Sequence, residues 1–309
     1  MLTADTAVRP EWTALPAELR ASVEERLGSR VVASVGQTGG FTPGVASRLT
    51  LADRSRVFAK AMPVDDPLAA NYRAEAWCAE RLPERVPAPR LRFSVETHNW
   101  IVLVFADVEG RTPDVTDPGD LAAVLDTVRT LATVLTPNPL PGVPLAEQEL
   151  APLMHAWRTF AADGPPADLD GWSLRHLDRL ARLESGWTAA TAGDTLLHAD
   201  LRPDNMLRTG TGEIVVVDWA CACTGAAWVD LVVLLGSVAG VDAEAVVRDH
   251  PVTRDVDPAA IDAVVCALAG LWEQQCRGPE RPRSPYLRRF QARNAAVTRA
   301  WLAHRTGWR

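Results

Sequence analysis

Two short apolar runs enclose the most constraining pattern in this 309-residue chain. Asp200 is followed five residues later by Asn205, and Asp218 comes thirteen residues after Asn205. The apolar segments 195–197 and 214–217 flank this set, and a glycine-containing turn sequence precedes the second segment. The spacing therefore predicts a strand-loop-strand unit that carries two carboxylates and one amide.

These polar groups suit phosphoryl transfer from a magnesium nucleotide. Asp200 is expected to orient the attacking hydroxyl, while Asn205 and Asp218 are expected to hold Mg²⁺ through oxygen ligands. Asp204 and Asn205 have an alternative role as caps of a helix or turn, because both residue types favour such sites. We interpret the pattern as that of a kinase that uses ATP, with GTP as the alternative nucleotide.

The loop from His198 to Asn205 resembles the His-x-Asp-x-x-x-x-Asn catalytic loop of the protein kinase-like superfamily. It is most similar to the aminoglycoside phosphotransferase and choline kinase group, whose loop usually reads His-Gly-Asp-Leu. Asp218 stands where protein kinases carry the aspartate of Asp-Phe-Gly. The resemblance implies an α+β, bilobal protein kinase-like fold with an antiparallel-sheet N-lobe and a mainly helical C-lobe. It leaves the general-base role to Asp200, so His198 is expected to be structural.

Two positions of this loop differ from the related sequences. Ala199 replaces the usual glycine, and because alanine lacks glycine's access to positive φ, an ordinary backbone conformation is expected there. Arg202 occupies the place of a lysine in protein kinases. It is expected either to stabilise the transferring phosphoryl group or to pair with a neighbouring carboxylate as a structural residue.

A single lysine, Lys60, occurs among the 32 lysine and arginine residues. It lies in segment 56–61, a predicted strand, at the place where the resemblance requires a lysine for the α- and β-phosphates. An ammonium and a guanidinium differ in size and donor geometry, which favours a specific role for this lysine. Glu75 lies in the middle of the predicted helix 66–82, which an Asp-Pro pair opens, and is expected to hold Lys60. The alternative for Glu75 is an ordinary solvated glutamate.

Glycines are concentrated in the segment 36–44 between two predicted strands. A glycine-rich hairpin can bring backbone amides close to a triphosphate, which makes Gly40 and Thr42 candidates for phosphate contacts. The segment lacks the Gly-Lys-Ser/Thr of a Walker A loop. By itself, a hairpin of this kind is often only a turn.

The apolar run 100–105 predicts a buried strand that leads into a hinge at residues 106–110. Matching this segment to the hinge of the family makes Phe105 the side chain behind the nucleotide base. The Ala106 carbonyl and the Val108 amide are then expected to bind the base.

The hinge divides the chain into two predicted lobes. Residues 1–105 form the N-lobe, which carries the nucleotide-binding sheet and begins with an extra helical arm at 15–27. Residues 111–309 form a helical C-lobe with the catalytic loop and the acceptor site, including single helices expected at 145–162 and 173–190.

The segment after Asp218 indicates a small-molecule kinase. Protein kinases need a long activation segment that ends in Ala-Pro-Glu. Here only eleven residues separate Asp218 from Asp230, and no Ala-Pro-Glu occurs. Asp230 resembles the aspartate that braces the catalytic loop in small-molecule kinases. The expected activity is therefore transfer of the γ-phosphoryl group to a hydroxyl of a small acceptor.

The acceptor itself has no motif in the sequence. An aminoglycoside or another antibiotic is one candidate, and an amino alcohol or sugar is the alternative. His155, Asp178, Glu184 and Glu273 are candidate pocket residues, each with an ordinary surface charge as the alternative. A nucleotide-binding pseudokinase regulator is a weaker alternative, since the base, the metal ligands and the lysine are all present.

Composition limits the other classes of function. The 47% hydrophobic and 23% charged content is typical of a soluble enzyme, and the net charge of −7 argues against a nucleic-acid binder. The chain lacks a membrane-length apolar run and a signal-peptide pattern, which predicts a cytoplasmic protein without a membrane partner. For the oligomeric state, a monomer and a homodimer are both left open. The five cysteines lack metal-binding spacing, so reduced thiols are expected.

Overall fold

The structure, a computed structural model, describes residues 7–309. In this part of the chain, ten strands form three sheets. The strands are β1 (Val31–Gly36), β2 (Val45–Leu51), β3 (Arg56–Pro63), β4 (Leu91–Thr97), β5 (Trp100–Ala106), β6 (Gly110–Arg111), β7 (Thr195–Leu197), β8 (Met206–Thr209), β9 (Ile214–Val216) and β10 (Cys223–Gly225).

Twelve α-helices are found in the same described residues. The helices are α1 (Ala17–Leu27), α2 (Ala69–Arg81), α3 (Pro118–Val134), α4 (Ala146–Leu150), α5 (Ala156–Asp163), α6 (Gly171–Arg175), α7 (Leu177–Glu184), α8 (Trp187–Ala190), α9 (Val229–Ser237), α10 (Ala243–Asp249), α11 (Pro258–Gln275) and α12 (Leu287–Thr306). None of the helices described in residues 7–309 is long and apolar enough to cross a membrane.

The chain divides into two compact units. The first unit consists of Met1–Thr112, Asp204–Cys221 and Glu280–Leu287. The second unit consists of Pro113–Pro203, Ala222–Pro279 and Arg288–Arg309. Two segments that the predicted division assigns to the C-lobe, 204–221 and 280–287, thus belong to the first unit. The predicted lobe bounds stay a prediction.

The first unit is built on a five-stranded antiparallel sheet with the strand order β1-β2-β3-β5-β4. The central strand β3 is buried on both faces. Ala59 and Ala61 pack in an apolar cluster with residues of α1. Because successive side chains of a strand point to opposite faces, Lys60 lies on the other face, where Tyr72 of α2 packs against the sheet.

The first turn of α2 differs from the prediction. The Asp66 carboxylate accepts a hydrogen bond from the Leu68 amide at 2.9 Å, and the Asp66 carbonyl accepts one from the Ala69 amide at 2.9 Å. Asp66 and Pro67 therefore form a turn before the helix, and the prediction of a helix that begins at this pair is wrong. Glu75 remains in the middle of α2.

A second sheet of the first unit contains the predicted hairpin. Strands β6, β8 and β9 are antiparallel neighbours, and the Thr209 amide donates to the Glu213 carbonyl at 2.9 Å in the connecting turn. Asn205 precedes β8 and Asp218 follows β9. The Val217 amide donates to the Asn205 carbonyl at 2.9 Å, which holds both residues at the same end of the hairpin.

The second unit is mainly helical. α3 begins with Asp117 as its cap, whose carboxylate accepts the Asp120 amide at 2.9 Å, and with Pro118 in its first turn. The predicted helix 145–162 is wrong as a single element, because Pro152 lacks an amide donor and separates α4 from α5. The predicted helix 173–190 is likewise divided into three short helices, α6 to α8.

Candidate active site

The Lys60 ammonium lies at the centre of a cluster of charges in the first unit. Its Nζ is 2.5 Å from a Glu75 carboxylate oxygen and 3.0 Å from an Asp218 carboxylate oxygen. The Lys60 side chain is 14% exposed. The structure thus brings together three residues that the sequence assigns to the same site from β3, α2 and the hairpin.

Burial and charge act in opposite directions in this cluster. Burial disfavours the Lys60 ammonium, but the Asp218 and Glu75 carboxylates outweigh it and hold the pKa of Lys60 above its ordinary value. Burial raises the pKa of Glu75 to about 7, although Lys60 opposes this shift. Tyr72, which the sequence indicates only as an apolar position, also lies here, with Lys60 Nζ 5.3 Å from its ring centre. Burial raises the pKa of Tyr72 to about 12.

The glycine-rich loop, residues 36–44, lies between β1 and β2 of the same unit. Gly40 has a φ of +79°, which a residue with a side chain rarely adopts. A Cβ on Gly44 would lie 2.2 Å from the Tyr72 hydroxyl and 2.7 Å from the Ala61 carbonyl oxygen. Only glycine allows this loop to approach the sheet so closely. The predicted phosphate contacts of Gly40 and Thr42 stay predictions.

The predicted hinge is fixed by charges that the sequence did not indicate. Arg48 Nε lies 2.6 Å from Asp107, and Arg48 Nη2 donates to the Val108 carbonyl at 3.0 Å. Arg56 Nε lies 3.1 Å from the other Asp107 oxygen. Two arginines of β2 and β3 therefore position the segment on which the Val108 amide lies.

Phe105 and Ala106, the two residues before Asp107, belong to β5. Phe105 is 6% exposed and packs in the apolar cluster between the sheet and α2. The Ala106 amide donates to the Arg90 carbonyl at 2.8 Å. The base contacts predicted for Ala106 and Val108 stay predictions.

Asn205 and Asp218, the predicted oxygen ligands of Mg²⁺, lie at one end of the hairpin. The Asp218 side chain is 38% exposed, and its φ is +68°. Asn205 is 5% exposed. One carboxylate and one amide fit Mg²⁺, which usually binds few protein ligands and completes its coordination with phosphate oxygens and water. No cluster of three or more His, Cys, Asp or Glu side chains with a metal-binding arrangement occurs among residues 7–309.

In the second unit, Asp230 of α9 holds the start of the predicted catalytic loop. Its carboxylate accepts hydrogen bonds from the His198 and Ala199 amides, both at 2.8 Å. The buried His198 ring accepts the Asp200 amide at Nδ1 over 3.2 Å. Burial raises the pKa of Asp230 above its ordinary value.

The backbone at Ala199 contradicts the sequence-based expectation. Its φ is +60°, in the left-handed region that favours glycine. The expectation of an ordinary conformation was wrong because it considered only the local preference of alanine. Two hydrogen bonds from backbone amides to the Asp230 carboxylate specify this turn. Tertiary contacts of this kind can stabilise a strained backbone.

Asp200 and Arg202 form an ion pair in the second unit. Arg202 Nη1 donates to an Asp200 carboxylate oxygen, and the guanidinium lies 5.4 Å from the ring centre of Phe290. The Arg202 side chain is 11% exposed and that of Asp200 is 31% exposed. Arg202 is thus held between a carboxylate and an aromatic ring, while part of the Asp200 carboxylate is accessible.

Two of the four candidate pocket residues are buried ion-pair partners in the second unit. The Glu184 carboxylate accepts the Trp157 and Arg158 amides at 3.0 and 2.9 Å, which caps α5. Glu273 pairs with Arg277 and Arg299 at 2.8 and 2.9 Å. These contacts satisfy both carboxylates within the helical unit.

The other two candidate pocket residues are His155 and Asp178. The His155 ring contacts the Thr159 hydroxyl and the Pro152 carbonyl, both at 3.0 Å. Asp178 is exposed in the first turn of α7. An assignment of the acceptor pocket to these four residues stays a prediction.

The family of the chain follows from a comparison with known sequences. A family model described as "Phosphotransferase enzyme family" matches residues 46–274, which is more than half of the chain. The chain belongs to the phosphotransferase enzyme family. It is therefore a small-molecule phosphotransferase, as the catalytic-loop pattern and the short segment after Asp218 together predicted. The matched segment includes Lys60, Asp200 and Asp218.

Solved structures show the fold of this phosphotransferase. Choline kinase LicA from Streptococcus pneumoniae is similar with a TM-score of 0.64 and 14% identity, and the match covers 93% of this chain and all (100%) of that one. A ternary complex of the aminoglycoside phosphotransferase APH(4)-Ia with ADP and hygromycin B has a TM-score of 0.61 and 14% identity over 94% of this chain and 98% of that one. The predicted α+β kinase-like fold is confirmed.

A sequence relative of the phosphotransferase is a homoserine kinase from Methylobacterium sp. (strain 4-46). The two chains are 32% identical over 126 residues. The match covers 37% of this chain and 39% of the relative, so the chain aligns with less than half of that protein.

Proposed function

We propose that this phosphotransferase transfers the γ-phosphoryl group of ATP, or of GTP, to a hydroxyl of a small acceptor. The contact of Lys60 with both Glu75 and Asp218 is the observation that carries the proposal. It joins the predicted phosphate-binding lysine to its helix partner and to the predicted metal ligand. Proteins that only bind a nucleotide have no need for a complete set of this kind.

Mg²⁺ is proposed to be held by Asn205 and Asp218. When bound, the ion would neutralise phosphate charge during transfer. Asp218 is also the carboxylate that Lys60 contacts at 3.0 Å, so ammonium and metal ligand are positioned together. Lys60 is proposed to bind the α- and β-phosphates, with Glu75 fixing its direction.

Asp200 is proposed to receive the proton of the acceptor hydroxyl. As the hydroxyl oxygen forms its bond to the γ-phosphorus, the bond between that phosphorus and the β,γ-bridging oxygen breaks, and the nucleoside diphosphate leaves. Arg202, paired with Asp200, holds this carboxylate in position. Asp230 and His198 are proposed to hold the backbone of the loop and to make no contact with the reacting atoms.

The acceptor proposal includes two classes. The homoserine kinase relative supports an amino alcohol, because homoserine has both a hydroxyl and an amino group. An aminoglycoside or another antibiotic is the other class, in line with the sequence resemblance. Aminoglycosides and simple amino alcohols are cationic near neutral pH, which agrees with the net charge of −7, whereas homoserine is a zwitterion without net charge.

A panel assay tests the proposed function. Purified protein with Mg-ATP or Mg-GTP is incubated with homoserine, choline, kanamycin, hygromycin B and a set of sugars, and nucleoside diphosphate release is measured. We expect release that depends on one acceptor, and a product that is heavier by one phosphoryl group. The Asp200→Asn variant should bind nucleotide normally but lose turnover by several orders of magnitude.

Two results would count against the proposal. Tight nucleotide binding without acceptor-dependent turnover on a broad panel would favour a regulator. Activity of Asp200→Asn within a few-fold of the original enzyme would assign the proton acceptor to another residue.

A further inference from the structure

Side chains from two distant segments hold the glycine-rich loop of the first unit. Arg9, in the coil before α1, donates through Nε to the Thr42 carbonyl at 2.8 Å and through Nη1 to the Gln37 carbonyl at 2.6 Å. The Ser284 hydroxyl donates to the Phe41 carbonyl at 2.5 Å. Both arms and the tip of the loop are therefore fixed by groups outside the sheet.

Arg9 differs from Ser284 because it brings a full positive charge to the loop. Its Nη2 lies 3.2 Å from the position that a Cβ on Gly40 would occupy. The guanidinium is partly buried. A guanidinium has five N–H donors in a planar fork, and the two loop carbonyls engage only its Nε and Nη1 sides.

The charges around Arg9 link it to the Lys60 cluster. Burial lowers the pKa of Arg9 from its ordinary value, while Tyr72 and the Asp218 carboxylate oppose this shift. Tyr72 and Asp218 are also the neighbours of Lys60. Arg9 and Lys60, which are far apart in the sequence, thus both interact electrostatically with the Asp218 carboxylate.

We propose that Arg9 is a phosphate-binding residue of the nucleotide site, with its guanidinium oriented by the loop carbonyls of Gln37 and Thr42. The inference rests on the proposed kinase function. Two hydrogen bonds to the loop fix the plane of the guanidinium, so its remaining donors are pre-oriented for phosphate oxygens beside Lys60. The family match begins at residue 46, so neither the family nor the catalytic motif assigns this role to Arg9.

The test compares ligands that share a base but differ in phosphate number. Dissociation constants of ATP, ADP, AMP and adenosine are measured by calorimetry, with Mg²⁺ present, for the original protein and for Arg9→Gln. We expect ATP affinity to fall about 10- to 100-fold in Arg9→Gln, because a charge-assisted contact is lost. Adenosine affinity should stay within about twofold, since the base contacts lie on other residues.

Three further variants serve as controls. Ser284→Ala removes a loop contact without removing a charge, so any loss of affinity should be similar for all four ligands. Arg26→Gln removes an exposed charge from α1 and should change none of them. Arg9→Lys keeps the charge without the planar fork, and its ATP affinity should lie between those of Arg9→Gln and the original protein; it decides the question if Arg9→Gln does not fold.

The outcomes separate this inference from the proposed function. Equal weakening of ATP and adenosine in the Arg9 variants would show that Arg9 only supports the loop and overturn the proposal. Unchanged ATP affinity in those variants would also overturn it while leaving the kinase function intact. If the original protein binds neither these four ligands nor GTP, the proposed function itself fails.

Discussion

The Ala199 amide donates a 2.8 Å hydrogen bond to the Asp230 carboxylate, while Ala199 itself has a φ of +60°. A left-handed backbone costs an alanine about 1 kcal/mol relative to its preferred conformations. The carboxylate of α9 therefore stabilises a turn that the alanine side chain disfavours. This turn directly precedes Asp200, so the position of the proposed proton acceptor depends on it.

The strain at Ala199 predicts that Ala199→Gly is tolerated or stabilising. We expect the free energy of unfolding to rise by about 0.5 kcal/mol, since relief of the positive φ slightly exceeds the entropy that glycine adds to the unfolded chain. The matched control is Ala122→Gly in the exposed face of α3, which should lose about 1 kcal/mol. Urea unfolding measures both, and an equal loss in the two variants would contradict the strain at Ala199.

Removal of the Asp230 carboxylate should lower stability and turnover, which depend on the loop that carries Asp200, more than nucleotide affinity. Asp230→Asn keeps the volume but leaves one of two buried amides without a carboxylate oxygen, which should cost about 2 kcal/mol of stability. Turnover should fall at least tenfold, because the loop that carries Asp200 is displaced. ATP affinity should change little. A variant with normal stability and turnover would show that the loop needs no brace from α9.

Lys60→Arg is expected to be a severe change in a chain that otherwise uses arginine. A guanidinium is larger and planar, so it cannot occupy the position 2.5 Å from Glu75 and 3.0 Å from Asp218 without displacing one of them. ATP affinity should fall about tenfold or more, with a larger loss of turnover. Arg26→Lys, the reverse exchange at an exposed site, is the control. Near-normal kinetics of Lys60→Arg would remove the main support for the phosphate site.

The metal proposal predicts that Asp218→Ala weakens Mg-nucleotide binding much more than binding of the metal-free nucleotide. The ratio of the two affinities should change about tenfold or more, because the lost group is a proposed ligand of the ion. Asp53→Ala, at an exposed turn residue of the same unit, should leave the ratio unchanged. Titrations with and without Mg²⁺ decide the matter: equal weakening in both would assign Asp218 to the fold and to Lys60.

The pKa of Glu75 predicts a pH dependence of nucleotide binding. Burial raises this pKa to about 7 from its ordinary value of 4.5. Below pH 7 the protonated carboxyl no longer attracts the Lys60 ammonium, so nucleotide affinity should fall as the pH decreases through about 7. The pH dependence that Glu75 causes should be absent in Glu75→Gln. The pH dependence caused by titration of the nucleotide phosphates should remain, so the variant distinguishes the two.

Stability should depend on pH in the opposite direction at the same residue. Because the folded-state pKa lies above the ordinary value, protonation of Glu75 stabilises the folded protein; this contribution is complete below pH 4.5 and is lost as the pH rises through about 7. Glu75→Gln should therefore gain stability relative to the original protein at higher pH. Urea midpoints across this range test the sign, and a constant difference would assign the titration to another group.

Local sequence patterns predicted the elements that carry most candidate site residues. The predicted strand 56–61 corresponds to β3 with Lys60, and the predicted helix 66–82 corresponds to α2 with Glu75. The turn sequence between β8 and β9 indicated the hairpin that carries Asn205 and Asp218 at one end. These features depend on neighbours a few residues apart, for which periodicity and turn chemistry are informative. Pro152 lies inside segment 145–162, and its missing amide donor is a signal in the sequence against one continuous helix.

Long-range contacts could not be predicted in this way. Ser284 contacts Phe41 across 243 positions of the sequence, and Arg9 contacts Thr42 across 33. Neither residue belongs to a periodic pattern or a motif. The φ of Ala199 is a further case. The carboxylate that accepts its amide hydrogen bond belongs to Asp230, in a helix that begins thirty residues later. Such contacts follow from tertiary packing rather than from residue preferences.

The location of Lys60 also determines how the protein responds to covalent labelling. Its side chain is the only ε-amine in the sequence, and two carboxylates keep it protonated at 14% exposure. Acylating reagents attack neutral amines, so this nitrogen is a poor target while both ion pairs are intact. Incorporation of such a reagent at Lys60 therefore reports directly on the opening of these ion pairs, without background from other lysines.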